Sequence, residues 1–558
     1  MISTDMKFGS LLAGLGARAG NALDTLRNTL IDILPGEKPS WLVVELSGSY
    51  PARKRKQRLL ARVMSMGEKT ASMEEFEAIV TALLRADWLT GVVFRYDQLG
   101  IDLATAYALR RQLKRLRAGG KQVVVVANNL NTSGFYLATT ADRVIAPEGA
   151  EFFVNGMSLT TTFMADALAR IGVRFEKLAI KEYKNAGDQL VRSTMSDAQR
   201  EQYGALLDSF QETITTSAAE DRGTTAAAVR GWIDEGVTSA VQAQALGMID
   251  EVAYEDEYMT KRHQPFASGR RFIPGRVRPI ASKRVAVVSL SGSIVPGKSR
   301  KLPLPLPLFG EEMAGSETLV RALRAAGADK NTAAVVFHVD SGGGSALASD
   351  LIWREVKLLA ERLPVVAVMG QYAASGGYYV LTHATEVLAA PTTLTGSIGV
   401  VMAKPILKEF NSKYGFNPES VTRGRFAEIM SSARAFDEQE LALMQRYNEE
   451  VYSRFVSRVA TGRNLSEERV NEIGRGRVWS GVDALDLGLV DGFGDVALAI
   501  ERARELAGLP EDAPTWNVEP PKRYLAPVVE EPRAVLGVLG ALLEERALLL
   551  HPLELKLR

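Results

Sequence analysis

"AVVFHVDSGG" (334–343) repeats a pattern met earlier in the chain, "GVVFRYDQLG" (91–100), with Asp340 matching Asp97 at an offset of 243. The match continues on both sides. "LVVELSGSY" (42–50) resembles "AVVSLSGSI" (286–294) at 244, and "TSGFYLATTADRV" (132–144) resembles "SGGYYVLTHATEV" (375–387) at 243. "ALGMIDEV" (245–252) resembles "DLGLVDGF" (486–493) at 241. A near-constant offset over some 200 residues marks an internal duplication. The halves are placed at 40–256 and 283–497, with an N-terminal segment 1–39 and a C-terminal extension 498–558. Between the halves, "TKRHQPFASGRRFIPGRVRPIASK" is basic and rich in Pro and Gly, so 257–282 reads as a linker.

Within the second half, "RVAVVSLSG", "AAVVFHVDS", "PVVAVMG" and "EVLAAP" read as buried strands. They alternate with stretches of helical length and period, among them "SETLVRALRAAG" and "ALASDLIWREVKLLAER". Such alternation predicts an α/β fold of sequential βαβ-type units in each half.

Composition removes several function classes. The 558 residues are 46% apolar and 24% charged, ordinary globular values. A net charge of +1 offers no electrostatic footprint for nucleic acid. Cysteine is absent, which excludes disulfides, thiol catalysis and cysteine metal sites. The four histidines, His263, His338, His383 and His551, have no metal-ligand spacing, so neither a metal nor a cofactor is expected. At the N-terminus, Leu12, Leu15, Leu23, Leu26, Leu30 and Leu34 fall near helical spacing, while Arg18, Asp24, Arg27 and Asp32 interrupt the apolar run. A spanning helix needs roughly 20 apolar residues, so this segment reads as amphipathic, with no signal-peptide cleavage pattern. "AVLGVLGALLEERALLLHPLELKLR" (534–558) is apolar but broken by Glu544, Glu545 and Arg546, and reads as a helix packing on its own protein.

Two stretches carry chemistry. "FHVDSGGGSALASD" (337–350) is a strand, a triple-glycine turn and a helix; such a turn can present N–H groups to an anion or a developing oxyanion. "QYAASGGYYV" (371–380) sets Ser375 at a second strand-to-helix junction. In a parallel layout both lie at one sheet edge, so a nucleophile can face an oxyanion site. A serine hydroxyl still needs a base.

"VDSGGGSALAS", "YAASGGYYV", "LTGSIGV" and "RVWSGVDALDLGLVDGFG" resemble, in order, the motifs of the signal peptide peptidase SppA family in its long, tandem-domain form. The resemblance implies two tandem ClpP/crotonase-like domains, Ser375 as nucleophile, and an oxyanion hole from Gly343, Gly344 and Gly376. Gly342 stands where the family usually has proline. The family's lysine base maps to Lys184 in "IKEYKNAGDQ", and Ser397 resembles a serine that orients the lysine amine. The repeat tests this assignment from within the chain. The counterpart of Lys184 in the second half is Ala427, that of Ser375 in the first half is Thr132, and those of Gly343 and Gly344 are Gly100 and Ile101. The first half keeps a lysine and lacks a nucleophile; the second half has the reverse. The base is therefore expected from the other half.

A lysine accepts a proton at neutral pH only if its pKa falls from about 10.4 toward roughly 7–8, a shift that burial between two domains can supply. The histidine alternative fails on position, since His383 lies eight residues beyond Ser375 and His338 lies in the strand before the glycine turn. A crotonase-type acyl-CoA hydratase or isomerase, or a non-catalytic scaffold, would share the fold. The resemblance further implies hydrophobic, signal-peptide-like peptides as substrates and a ring of four chains, with dyads built within or between chains. It implies a bacterial membrane location, which the N-terminus narrows to peripheral contact or the cytoplasm. "VPGKSRKLPLPLPLFGEE" (295–312) is a candidate border for a peptide groove.

Overall fold

The computed structural model describes residues 21–31, 36–53, 71–260, 262–276, 283–306, 310–518 and 548–550. Runs such as Gln122–Ala127 are apolar on both faces and need cover on both, which selects parallel strands flanked by helices. The first half forms a six-stranded parallel sheet. Across it run Glu251–Val252, Arg143–Ala146, Gln122–Ala127, Gly91–Leu99, Trp41–Gly48 and His263–Pro265. The second half repeats that order and direction with Gly492–Phe493, Glu386–Ala389, Val365–Ala374, Thr332–Ser341, Arg284–Ser291 and Thr515–Asn517. The duplication read from sequence is thus a duplication of topology, two tandem α/β domains. Each half also carries a 26-residue helix, Asp197–Arg222 and Glu438–Arg463. Ser196 and Asp437 cap their N-termini, and Gly223 and Asn464 close them in the left-handed conformation.

The expected linker is largely part of the first domain. His263–Pro265 pairs in parallel with Trp41–Gly48, and Phe272 and Ile273 are buried, so only 277–282, outside the described residues, still separate the halves. The segment beyond 497 is likewise domain, not extension, as far as Val518. The Val496–Leu506 helix packs on the second sheet and Thr515–Asn517 adds its edge strand. A three-residue edge strand is held by backbone bonds, so "HQP" and "TWN" share no residue that would betray the repeat.

A third, seven-stranded sheet joins the halves and carries the site. Its order is Arg300–Leu306, Gly310–Gly315, Ser293–Val295, Gly343–Ser345, Leu548–Leu550, Val401–Ile406 and Arg174–Ala179. Arg174–Ala179 comes from the first half and runs antiparallel to Val401–Ile406 of the second, with Ala179 opposite Val401 and Arg174 opposite Ile406. The proline-rich stretch contributes the first two strands of this sheet.

Near the N-terminus, residues 21–30 are helical, and Asn28 exchanges two hydrogen bonds with the backbone of Gly275. Leu23, Leu26 and Leu30 on that helix are 67%, 56% and 41% exposed. Residues 1–20 of the expected amphipathic segment lie outside the described residues. The expected C-terminal helix is replaced, where described, by the strand Leu548–Leu550. Among the described residues no helix is long and apolar enough to cross a membrane.

Candidate active site

Ser375 ends the Val365–Ala374 strand and opens the short Gly376–Tyr379 helix at φ 56° and ψ −117°. A non-glycine residue rarely holds this conformation, and such strain gathers at functional sites where the surroundings enforce it. Here the Ser375 N–H donates to Gly396 O at 2.8 Å, and the Gly376–Tyr379 helix follows at once. The side chain is fully buried.

Lys184 arrives from the opposite half. It follows the strand Arg174–Ala179, so the cross-half pairing with Val401–Ile406 delivers it to the second domain. Its Nζ lies 2.7 Å from Ser375 Oγ, 2.9 Å from Ser397 O and 3.0 Å from Ser397 Oγ. Both side chains of this contact belong to one chain. Burial, and secondarily the nearby Lys177 ammonium, push the Lys184 amine well below the ordinary lysine range. Lys177 is itself held by Asp188 and donates to Lys184 O at 2.8 Å. Among the described residues no carboxylate bonds the Lys184 amine, and its three contacts there are hydroxyl and carbonyl oxygens. A second fully buried lysine, Lys404, donates to Ile429 O at 2.9 Å and lies over the Phe436 ring, away from any nucleophile.

Ser397 also has a positive φ, 52°, and its N–H donates to Arg477 O at 2.7 Å. The stretch Arg475–Arg477, not singled out from sequence, clamps both partners. Tyr183 N–H donates to Arg475 O at 3.2 Å, and Gly476 N–H to Ile398 O at 2.8 Å. A Cβ on Gly476, at φ 81°, would lie 2.5 Å from Lys184 N and 2.7 Å from Lys184 Cβ. Gln202 adds a side-chain tie, accepting from Val478 N–H at 3.2 Å and donating to Tyr183 O at 3.3 Å.

The glycine turn adjoins Ser375 with one difference from expectation. Gly343 N–H donates to Ser341 Oγ at 3.1 Å, so it is taken up within the turn and is not free for an oxyanion. Gly344 and Gly376 remain as candidates. A Cβ on Gly376 would lie 3.2 Å from Gly344 N, and Gly376 opens a helix, where N–H groups lack intrahelical acceptors. Gly344 has φ 157°, and a Cβ there would collide with Ile294 O.

The counterpart positions hold no such arrangement. Thr132 is buried with Oγ1 donating to Gly156 O at 3.1 Å, while Ala427 is exposed. Gly100 and Ile101 lead straight into a helix capped by Asp102, without the extra strand Gly343–Ser345. His383 and His338 stand elsewhere. His383 Nδ1 accepts from Trp353 Nε1 at 3.0 Å, and burial lowers its pKa to about 4. His338, lowered to about 4 by burial and Arg53, lines a cavity of about 240 Å³ between the halves with Arg53, Asp340 and Asp495.

Comparison with known proteins fits this geometry. The profile of peptidase family S49 matches residues 115–267 and 357–510, one segment in each half and together more than half of the chain. The chain belongs to peptidase family S49. Relatives of this S49 chain include the chloroplastic serine protease SPPA of Arabidopsis thaliana, 30% identical over 448 residues. That match covers 77% of the chain and 65% of the plant protein, so the chain spans just under two thirds of that relative's length. Protease 4 of Haemophilus influenzae is 27% identical over 439 residues, covering 74% of the chain and 69% of the relative. Protease 4 of Salmonella typhi is 28% identical over 452 residues, covering 77% and 71%. These relatives support a serine-type peptidase of the S49 family.

Proposed function

We propose that this S49 chain is an endopeptidase working through a Ser375–Lys184 dyad on hydrophobic peptides, cleaved signal peptides among them. The observation that carries the reading is the 2.7 Å approach of Lys184 Nζ to Ser375 Oγ in a buried site. A neutral lysine amine has two N–H donors and one lone pair. Ser397 O and Ser397 Oγ take the two donors, which leaves the lone pair facing the Ser375 hydroxyl. The amine then accepts the Ser375 proton as Oγ bonds to the scissile carbonyl carbon. The oxyanion forms beside the N–H groups of Gly344 and Gly376. The lysine ammonium returns its proton to the departing amine as the C–N bond breaks, and a water repeats the sequence on the acyl-enzyme.

An apolar substrate is supported by Leu347 and Leu351, 60% and 47% exposed, one turn apart on the helix that leaves Gly343–Ser345. Peripheral contact with a bilayer is supported by the exposed leucines of residues 21–30. Assembly of four chains into a ring belongs to the same proposal. Incubation with a fluorophosphonate probe tests the chemistry: the expected result is a single adduct on Ser375 that Ser375→Ala abolishes. Hydration of an acyl-CoA without any such adduct would replace the reading with crotonase-type chemistry.

A further inference from the structure

The third sheet contains a strand that comes from neither domain. Leu548–Leu550 runs antiparallel to Gly343–Ser345, with Leu550 opposite Gly343, Leu549 opposite Gly344 and Leu548 opposite Ser345. On its other side Leu548 stands opposite Val401. The strand also lies beside the Gly376–Tyr379 helix, which Ser375 opens. Adjacent strands sit about 4.8 Å apart, so Gly343–Ser345 and Val401–Ile406 bound a slot one extended peptide wide. A peptide lying in that slot runs past Gly344 and beside the helix that Ser375 opens. Its walls are main-chain donors and acceptors, which hold an extended peptide by strand addition. The segment now filling it reads "LLL" (548–550), as apolar as the peptides proposed above.

We infer that residues 548–550 occupy the substrate strand of the cleft, so that the peptidase is held closed by its own leucine segment until a peptide displaces it. The inference rests on the peptidase reading above. The 29 residues 519–547 tether the segment to the second domain, so its return to the slot is an intramolecular event. With an effective concentration of about 1 mM and an intrinsic Kd of about 0.1 mM, the slot is occupied roughly ten times out of eleven. Occupancy of this kind competes with substrate: it raises KM and leaves kcat alone.

Proline has no N–H and is not accommodated in an inner strand, so Leu549→Pro in the full chain should empty the slot. On a quenched fluorogenic peptide containing a leucine run, the expected result is a KM lowered about tenfold with kcat unchanged. A full chain with Leu548, Leu549 and Leu550 all changed to Asp serves if the proline variant does not fold. A second readout needs no turnover. A fluorescein-labelled peptide of residues 545–554 should bind Ser375→Ala/Leu549→Pro about tenfold more tightly than Ser375→Ala alone. Equal KM values and equal peptide affinities in filled and emptied chains would overturn the inference. Tighter peptide binding with no turnover and no adduct on Ser375 in any variant would keep the occupied slot and overturn the peptidase reading instead.

Discussion

At the scale of single residues, the proposed mechanism turns on the lysine amine, and burial dictates the direction in which its pKa moves. Burial lowers the folded pKa of Lys184, so between that value and the unfolded value of about 10.4 the unfolded chain binds the extra proton. Stability contributed through this group therefore rises with pH across that window, and at neutral pH the buried amine is a cost. Lys184→Met should be inactive yet raise Tm by about 2–4 °C for each kcal/mol relieved, measured by calorimetry at pH 7. Activity has the same direction: kcat/KM should climb through an apparent pKa well below 10.4 and then level off. A profile still rising at pH 10 would show an amine that burial has not shifted. Lys184→Arg should be as dead as Lys184→Ala, since guanidinium does not deprotonate in proteins. Ser397→Ala removes one of three contacts to the amine and leaves Ser397 O in place; a loss in kcat of about tenfold, the worth of one hydrogen bond, is expected in steady-state assays. Ser375 and Lys184 came from the motif resemblance, and the repeat offset set them in opposite halves; the structure brings their side chains to 2.7 Å. The redirected N–H of Gly343 was not, because nothing in "SGGGS" says which amide turns inward to Ser341.

At the scale of elements, the site depends on a strand and a turn more than on any helix. Arg174–Ala179 carries the lysine across to the second domain, and Arg475–Arg477 pins it there through main-chain bonds. Gly476→Ala should lower kcat by about 100-fold or more, because displacing a base by about 1 Å costs that much. Circular dichroism and Tm close to the parent would locate the loss in the dyad and not in the fold. Backbone contacts leave no side-chain signature, so this turn could be read from sequence only as the start of "RVWSG". The strand crossing was equally hidden. "RFEKLA" is half-buried and mixed in polarity, and its partner lies more than 200 residues away. The buried strands, by contrast, announced themselves as β-branched runs at repeat spacing. The short edge strands that redraw the domain limits did not.

At the scale of the molecule, the halves are alike in topology and unlike in the residues at matching positions, and the proposed site brings Lys184 to Ser375 within one chain. Mixing Ser375→Ala chains with Lys184→Ala chains should therefore restore no peptidase activity above the separate variants. Recovery of about a quarter of the parental rate, the share of live pairings in a random mix, would mean that sites form between chains. Sedimentation of the parent protein tests the proposed four-chain ring independently of catalysis.

The crossing of Arg174–Ala179 into the second domain's sheet also has a consequence in time. A growing polypeptide exposes its base early and its nucleophile late, and the clamp around Gly476 emerges later still. At about 5–20 residues per second, the interval between making Lys184 and making that clamp is about 15–60 s. Throughout it the proposed site lacks the turn that positions its base. Nascent chains stalled after residue 440 should accordingly fail to react with a fluorophosphonate, whereas released full-length chains react. Duplication followed by complementary loss has made the order of synthesis itself the safety catch.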